Sequence, residues 1–435
     1  MSFSSWREVK IGDVCDVKGG KRLPKGSKLI NEPTEHPYIR IRDMYQHKYI
    51  ENNGDLEYVD EETFKKINRY ITNSGDVIIA IVGNTIGLVS LVGRSLDNAS
   101  LTENCVKLIN LKECLSEFIY YYLITEIGQN DLKSKIVGTS QPKLPIYGVK
   151  DICMRLPIIE EQKKIIDILS TLDEKIEVNN QINKTLENMA QAIFKQWFVD
   201  FEFPNEDGEP YTSSGGKMVE SELGMIPKGW EIAALGELAD IQKGLSYKGK
   251  HLVDSGIPMM NLGNIKPGGG FRANKMKYYN GEFKERHVVQ PGDILIANTD
   301  MTQDRVILGS PCIVPVFNTE KIIFTHHLFA FRAVKLPKSF LYYYLTSDSF
   351  RIRAESHATG TTVLALQKES VINIKLSFAT GHILQIFDDI VSPIISKIEK
   401  NNYESQKLSD IRDFILPKLM SGEIRVPLDS EGEAS

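Results

Sequence analysis

The sequence predicts an α+β fold in which two globular mixed α/β domains are each followed by one long α-helix, the second helix supplying a partner for the first. Three observations predict it. The 435-residue chain is too long for one ordinary core, and it repeats itself at a spacing of about 220 residues. Each copy begins with short apolar segments separated by turn residues. Each copy ends in a long helical stretch whose apolar stripe cannot be covered by the helix itself.

The repeat rests on matches kept in order, with an offset that stays between 217 and 224 residues. Trp6-Arg-Glu-Val-Lys-Ile-Gly-Asp-Val matches Trp230-Glu-Ile-Ala-Ala-Leu-Gly-Glu-Leu. Gly75-Asp-Val-Ile-Ile-Ala matches Gly292-Asp-Ile-Leu-Ile-Ala, and Phe118-Ile-Tyr-Tyr-Tyr-Leu matches Phe340-Leu-Tyr-Tyr-Tyr-Leu. Gly138-Thr-Ser matches Gly360-Thr-Thr, and Lys175-Ile-Glu-Val-Asn-Asn matches Lys397-Ile-Glu-Lys-Asn-Asn.

In each copy a short strand follows the tryptophan and leads into a basic, glycine-containing loop. Segments 76–82 and 293–297 read as strands. The tyrosine runs at 120–122 and 342–344 read as faces of helices over 116–127 and 338–353. A polar Gly-Thr loop follows, then a short strand ending in Leu156-Pro157 or Leu376. From 159 to 199 there is neither Gly nor Pro. Ile165, Leu169, Leu172 and Ile176 share one helical stripe, which resumes at Ile182, Leu186, Met189 and Ile193 after passing Asn179. The second copy carries Ile383, Ile386, Ile390, Ile394 and Ile398, then Leu408, Ile411, Ile415 and Leu419. Pro393 should kink this helix and Pro417 should loosen its last turn. Asn179-Asn180 and Asn401-Asn402 fall at the same aligned place, where buried Asn in paired helices sets register; solvent exposure is the alternative. These readings divide the chain into a first domain at 1–157, a helix at 158–200, a Gly/Pro/Ser-rich linker at 201–225, a second domain at 226–378, a helix at 379–425 and an acidic tail at 426–435.

Composition narrows the function. Hydrophobic residues make up 42% and charged residues 25%, as in a globular protein. No apolar run reaches the roughly 18 residues of a membrane span, and the N-terminus lacks a signal core, so a cytoplasmic location is expected, with no membrane partner. Cys15, Cys105, Cys114, Cys153 and Cys312 form no C-x-x-C pair and are expected as reduced structural thiols, without a disulfide frame or a metal site. Net charge is −5, but charge is sorted along the chain. Residues 17–31 hold Lys18, Lys21, Arg22, Lys25 and Lys28 without an acid, and 241–250 hold Lys243, Lys248 and Lys250 likewise. Acids gather elsewhere, as at Glu202, Glu206, Asp207 and Glu209.

Catalytic motifs are missing. Gly244 to Gly249-Lys250 fits a phosphate-loop spacing, but His251 stands where a magnesium-binding hydroxyl is needed and no helix is predicted to follow. The sequence has no Pro-Pro pair for a base-methylating segment, no dinucleotide-type glycine fingerprint and no G-x-S-x-G elbow. His326-His327 should point to opposite sides of a strand as core or surface histidines. Asp173-Glu174-Lys175 reads as a solvated helix face. No catalytic residue and no metal ligand is assigned.

What remains is a set of polar loops at equivalent places in the two copies, rich in the side chains that contact DNA phosphates and base edges. In the first copy the candidates are Lys21, Arg22, Lys25, Lys28, Arg40, Arg42, Asn84, Thr85, Thr139, Ser140, Gln141 and Lys143. In the second they are Lys243, Tyr247, Lys248, Lys250, Asn264, Asn298, Thr299, Gln303, Arg305, Thr361 and Thr362. Ordinary turn chemistry explains such residues one at a time; their recurrence across the duplication favours a binding face.

The order domain, helix, domain, helix resembles the specificity subunit of type I restriction-modification systems over about residues 5–425. The resemblance is carried by Leu156-Pro-Ile-Ile-Glu-Glu-Gln-Lys-Lys-Ile, by Ala192-Ile-Phe-Lys-Gln-Trp-Phe-Val-Asp-Phe, and by Ser213-Ser-Gly-Gly-Lys-Met-Val-Glu-Ser-Glu-Leu-Gly-Met-Ile-Pro-Lys-Gly-Trp. The second helix departs from this, with Ala379-Thr-Gly-His-Ile-Leu as its lead-in. The resemblance implies two target-recognition domains that each read half of a split site in double-stranded DNA, with the two long helices packing antiparallel as the spacer that holds them apart. It implies two methyltransferase subunits and motor-nuclease subunits as partners. S-adenosylmethionine, ATP and magnesium would then belong to those partners, with no cofactor in this chain. Because the loops of the two copies differ, the expected site is asymmetric. The competing reading is a stand-alone architectural or regulatory DNA-binding protein, and a second is an enzyme with an unrecognised site.

Overall fold

The computed structural model describes residues 6–427 except 46–47, 302–305, 318 and 361–362; the acidic tail beyond 427 lies outside the described residues. Each repeat is closed by its own first and last strands. Arg7–Lys10 pairs antiparallel with Cys153–Leu156, and Glu231–Ala234 pairs with Lys375–Phe378. The main sheet of the first repeat runs Asp16–Gly19, Cys105–Ile109, Val77–Ala80, Val89–Val92, Tyr49–Ile50. Its counterpart runs Ala239–Lys243, Leu328–Ala333, Ile294–Ala297, Pro311–Ile313. Val77–Ala80 and Ile294–Ala297 are buried at every position, as befits uninterrupted apolar strands covered on both faces. Each repeat adds a second sheet around one parallel pair, Pro37–Ile39 with Ala99–Leu101 and Ile257–Met260 with Ile322–Phe324.

The tyrosine helices are shorter than the sequence predicts. Ser116–Ile124 stops and Glu126–Ser134 begins anew; Lys338–Thr346 and Asp348–Ser356 repeat the break. The cause is a hydroxyl cap. Thr125 and Ser347 adopt extended backbone, and their side chains accept from Gly128 N at 3.1 Å and Phe350 N at 3.3 Å, which starts a new helix at each place.

Gly20 and Gly244 hold equivalent tight approaches. A Cβ on Gly20 would lie 2.0 Å from the Thr102 carbonyl oxygen, and one on Gly244 2.2 Å from that of Thr325. Both obstacles are backbone, so Gly20→Ala or Gly244→Ala is expected to lower stability by about 1–3 kcal/mol. Thermal melting checks this, and an unshifted transition for both variants would show that these crossings open freely.

The fold class is as the sequence predicts, with long helices at Ile159–Phe198 and His382–Ser421. The contacts divide them in an unforeseen way. One compact unit comprises Met1–Ile176 with Lys407–Ser435, the other Glu177–Gln406, so each repeat packs against part of both helices. In the first unit, Ile165 and Leu169 join Leu416, Leu419 and Met420 in the core around Phe118 and Tyr121. Arg412 meets Asp173 at 2.8 Å and Arg425 meets Glu161 at 2.7 Å, an antiparallel order. Asp173 is therefore no solvated face: it also accepts from Tyr121 Oη at 2.7 Å, and Lys48 donates to the same tyrosine oxygen at 2.8 Å. In the second unit Phe194, Trp197 and Phe198 bury against Phe340 and Phe387. The second helix runs unbroken through Pro393 and Pro417. Pro393 and Asp389, whose carbonyl loses its partner there, are both exposed, so water can satisfy the open site.

Asn179 and Asn401 are buried, each 1% exposed. Asn179 Nδ2 donates to Glu404 Oε2 at 3.0 Å and Ser405 Oγ at 3.2 Å; Asn401 Nδ2 donates to Asn183 Oδ1 at 2.8 Å, and Asn183 Nδ2 to Asn402 Oδ1 at 2.9 Å. Such a polar ladder favours one register of the helix pair. Asn179→Asp would turn the Nδ2 donor into an oxygen facing the Glu404 carboxylate. It is expected to cost about 1–3 kcal/mol at pH 7. The loss should shrink in acid, where one carboxyl of the pair takes up a proton. Melting curves at both pH values check the sign; an equal loss at both would exclude charge repulsion.

The segment read as a linker is folded. Phe203 is buried and stacks on Tyr211 at 4.6 Å and against Trp230 at 5.5 Å. Met218–Ser221 then pairs with Gly224–Pro227 as a hairpin.

Candidate nucleic-acid interface

In the first repeat, backbone hydrogen bonds gather three of the predicted loops at one edge of the main sheet. Gly20 N donates to Cys105 O at 3.0 Å, Lys21 N to Leu101 O at 2.8 Å, Ile81 N to Asn104 O at 2.9 Å, and Gly83 N to Pro142 O at 3.1 Å. Lys21, Asn84-Thr85 and the 138–143 turn are thereby brought together. Thr139, Ser140, Gln141 and Lys143 are exposed there, and Val137 and Lys143 exchange both backbone bonds across the turn. Lys21 Nζ sits 5.4 Å from the Tyr70 ring. Lys25 and Lys28 are exposed further along the same loop.

Other candidates in this repeat have internal partners. Arg22 pairs with Glu103 at 2.7 Å. Arg40 and Arg42 lie at 2.7 and 3.3 Å from the Glu57 carboxylate, and Arg42 also reaches Asp43. These two arginines are already neutralised by acids on their own domain. Thr85 donates its hydroxyl to Val82 O at 2.8 Å, the turn chemistry that the sequence allowed.

The second repeat builds the same edge. Leu245 N donates to Phe324 O at 2.8 Å, His326 N to Leu245 O at 2.9 Å, Asn298 N to His327 O at 3.0 Å, and Leu366 N to Asn298 O at 2.8 Å. Many of its side chains differ. Lys277 Nζ donates to Tyr247 Oη at 2.9 Å, and Tyr247 faces the His326 ring. His326 and His327 occupy a turn, not a strand, with ring centroids 3.9 Å apart, which corrects the expectation of opposite faces. His327 Nδ1 lies 3.2 Å from Thr299 Oγ1. Burial, reinforced by His326, Lys277 and Lys243, holds the His327 pKa below the ordinary imidazole value. Its ring is neutral near pH 7 and can donate and accept at once.

Three second-repeat candidates turn inward. Asn264 is fully buried; its amide accepts from Asn261 N at 2.9 Å and donates to Arg272 O at 2.9 Å. Asn298 and Thr299 are also buried: Asn298 Nδ2 donates to His326 O at 3.0 Å, and Thr299 Oγ1 donates to Asn298 Oδ1 at 2.7 Å. These groups shape the loops that carry the exposed side chains. Lys243, Lys248 and Lys250 are exposed. Gln303, Arg305, Thr361 and Thr362 lie outside the described residues. Sequence reasoning passed over Lys277 and the histidine pair. The duplication held the signal for the latter, because His326-His327 follow Thr325 as Glu103-Asn104 follow Thr102, at the crossings over Gly244 and Gly20.

Among the described residues no three His, Cys, Asp or Glu side chains are grouped to hold a metal ion. Among the described residues no helix is long and apolar enough to cross a membrane. Burial pushes the Cys15, Cys105 and Cys312 thiols up to about 12, so they stay protonated and unreactive.

Comparison with known proteins agrees with this architecture. The family described as type I restriction modification DNA specificity domain matches residues 4–188 and again 227–408. The type I restriction enzyme MjaIX specificity subunit of Methanocaldococcus jannaschii is 27% identical, covering 97% of this chain and 94% of that protein. The HindI specificity subunit of Haemophilus influenzae is 24% identical, covering 97% of this chain and all (100%) of that one. A crystal structure of the type I restriction-modification S subunit from M. genitalium shares the fold, with a TM-score of 0.56 at 17% identity over 96% of both chains. The chain belongs to the type I restriction-modification DNA specificity family.

Proposed function

We propose that each repeat reads one half of an asymmetric, bipartite DNA site and that the chain performs no chemistry itself. The observation that carries this reading is one scaffold edge presenting two different sets of polar side chains. At the equivalent crossings Lys21 and Glu103 of one repeat stand where Leu245 and His326 stand in the other, and the Lys277–Tyr247 pair flanks His326. Different side chains at equivalent stations recognise different base patterns. The exposed lysines beside them supply sequence-independent attraction to phosphates. The long helices fix the separation of the half-sites, which should follow the roughly 34 Å repeat of the duplex.

On this reading, two methyltransferase subunits bind the chain and flip the target adenine out of the stack, supplying S-adenosylmethionine. Motor-nuclease subunits join for cleavage with ATP and magnesium. Exposed apolar residues on the helices, among them Val178, Met189, Ile411 and Phe414, supply surface for such partners. The test is co-expression with the methyltransferase subunit, followed by mapping of methylated adenines. One split, non-palindromic motif with a fixed gap is expected. A palindrome, an uninterrupted motif or no methylation dependent on this chain would overturn the reading.

A further inference from the structure

The second repeat carries an open cleft of about 480 Å³ at the end of strand Ala239–Lys243. Lys243, Arg286 and Lys368 line it, with Gln242, Ser246 and His287, and none of its lining residues is an acid. Among the described residues none of the three cations is in an ion pair, although the chain as a whole is acidic. Lys243 and Arg286 are exposed and Lys368 is half-buried. Their charges therefore act outward on whatever enters the cleft. Three uncompensated cations in one concave surface raise the local concentration of anions.

The duplication provides an internal control. Gly244 corresponds to Gly20, since both cross the same strand-end carbonyl, so Lys243 corresponds to Gly19. Gly236 packs on Ile372 as Gly12 packs on Lys150, so Lys368 corresponds to Ile146. Arg286 and Arg69 are each the middle residue of the 3-10 turn before a short strand, at Val288–Val289 and Ile71–Thr72. In the first repeat a Cβ on Gly19 would lie 3.7 Å from Ile146 Cδ1, so this station is apolar. Lysines replace both of these residues in the second repeat. The difference lies beside the recognition edge, because Leu245 lines the cleft and accepts from His326 N at 2.9 Å.

We infer that this cleft seats a backbone phosphate of duplex DNA next to the half-site read by the second repeat, with Lys243, Lys368 and Arg286 as its ligands. The inference rests on the DNA-reading function proposed above. The lining contains no Phe, Trp or Tyr to stack a base, so a phosphate fits better than a nucleotide. Phosphate contacts orient a protein on the duplex and carry no sequence information of their own.

The test uses the complex of this chain with its methyltransferase partner and compares wild type with Lys243→Gln/Lys368→Gln. Lys243 is exposed and Lys368 partly so, and equal melting temperatures verify the fold. Affinity for a duplex carrying the full site is expected to fall on the order of tenfold, and the slope of log affinity against log salt by about 1, the share of one phosphate. The ranking of mismatched duplexes should stay the same. Unchanged affinity and slope, with wild type still binding specifically, would overturn the phosphate site and leave the function reading intact. A changed ranking would mean that these lysines read bases, and would overturn it as well. If wild type shows no specific binding, the function reading itself fails and the inference with it. Inorganic phosphate and ATP are titrated into the DNA-free complex as separate arms. No saturable binding is expected from either. Saturation that the double variant abolishes while DNA binding persists would reassign the cleft to a free phosphate.

Discussion

Arg425→Ala is expected to lower the stability of the first compact unit by about 3–5 kcal/mol, the cost of stripping a partner from a buried charge. Arg425 follows the last helix and contacts the beginning of the chain. Its Nε and Nη2 donate to Glu161 Oε1 and Oε2 at 2.7 and 3.0 Å, a two-bond fork onto a carboxylate only 1% exposed. Its guanidinium also lies 5.5 Å from the Trp6 ring, which Arg155 approaches at 5.9 Å. One side chain thus ties the first residues of the first repeat, the start of the first long helix and the end of the second. Fork geometry and burial distinguish this pair from exposed ones such as Lys10–Asp151, whose attraction solvent screens. Glu161→Gln should cost less than Arg425→Ala, because it removes the buried charge together with the need to neutralise it. A double-mutant cycle read by denaturant unfolding checks the pair. Coupling near zero would mean that Arg425 acts through contacts other than Glu161, such as the one with Trp6.

The scaffold was legible in the sequence because duplication and periodicity are properties of the chain itself. The tryptophan starts, the Gly-Asp strands and the long helices could all be read from spacing. Two features were hidden for physical reasons. The break at Thr125 and Ser347 depends on one hydroxyl choosing to cap a turn, and Ser or Thr inside an apolar run gives no sign of which it will do. The sharing of both long helices between the units depends on contacts far apart in sequence, such as Asp173 with Arg412. The candidate site was legible as loops but not as side chains. Asn264 and Asn298 have the composition of base readers yet are buried in their own loops. Arg40 and Arg42 have the charge of phosphate ligands yet face Glu57. Sequence could not show these pairings, since Arg272, His326 and Glu57 come from other turns. It also could not show that Arg286 and Lys368, 82 residues apart by number, line one cleft with Lys243.

Exchanging residues 1–156 for the corresponding segment of another family member is expected to replace one half of the methylated motif and leave the other half unchanged. The boundaries follow from the strand pairing. Arg7–Lys10 and Cys153–Leu156 are neighbours in register, with Arg7 opposite Leu156 and Lys10 opposite Cys153. The segment therefore enters and leaves at adjacent strands, and all of the first repeat's recognition loops lie between them. What the exchange must preserve is the face that meets the helices. Tyr121 reaches Asp173. Gln162 Oε1 accepts from Leu115 N at 2.9 Å, while its Nε2 donates to Glu113 O at 2.9 Å. Two of these three contacts use backbone groups of the incoming segment, which any sequence supplies; Tyr121 and the apolar side chains that meet the helices, Trp6 and Phe118 among them, must be matched. The gap between half-sites should also persist, since Ile159–Phe198 and His382–Ser421 both lie outside the exchanged piece. Mapping methylated adenines in cells carrying the chimera and the methyltransferase partner reads all three quantities at once. If both halves of the motif changed, recognition would not be modular. If neither changed, the loops of the first repeat would not be reading DNA.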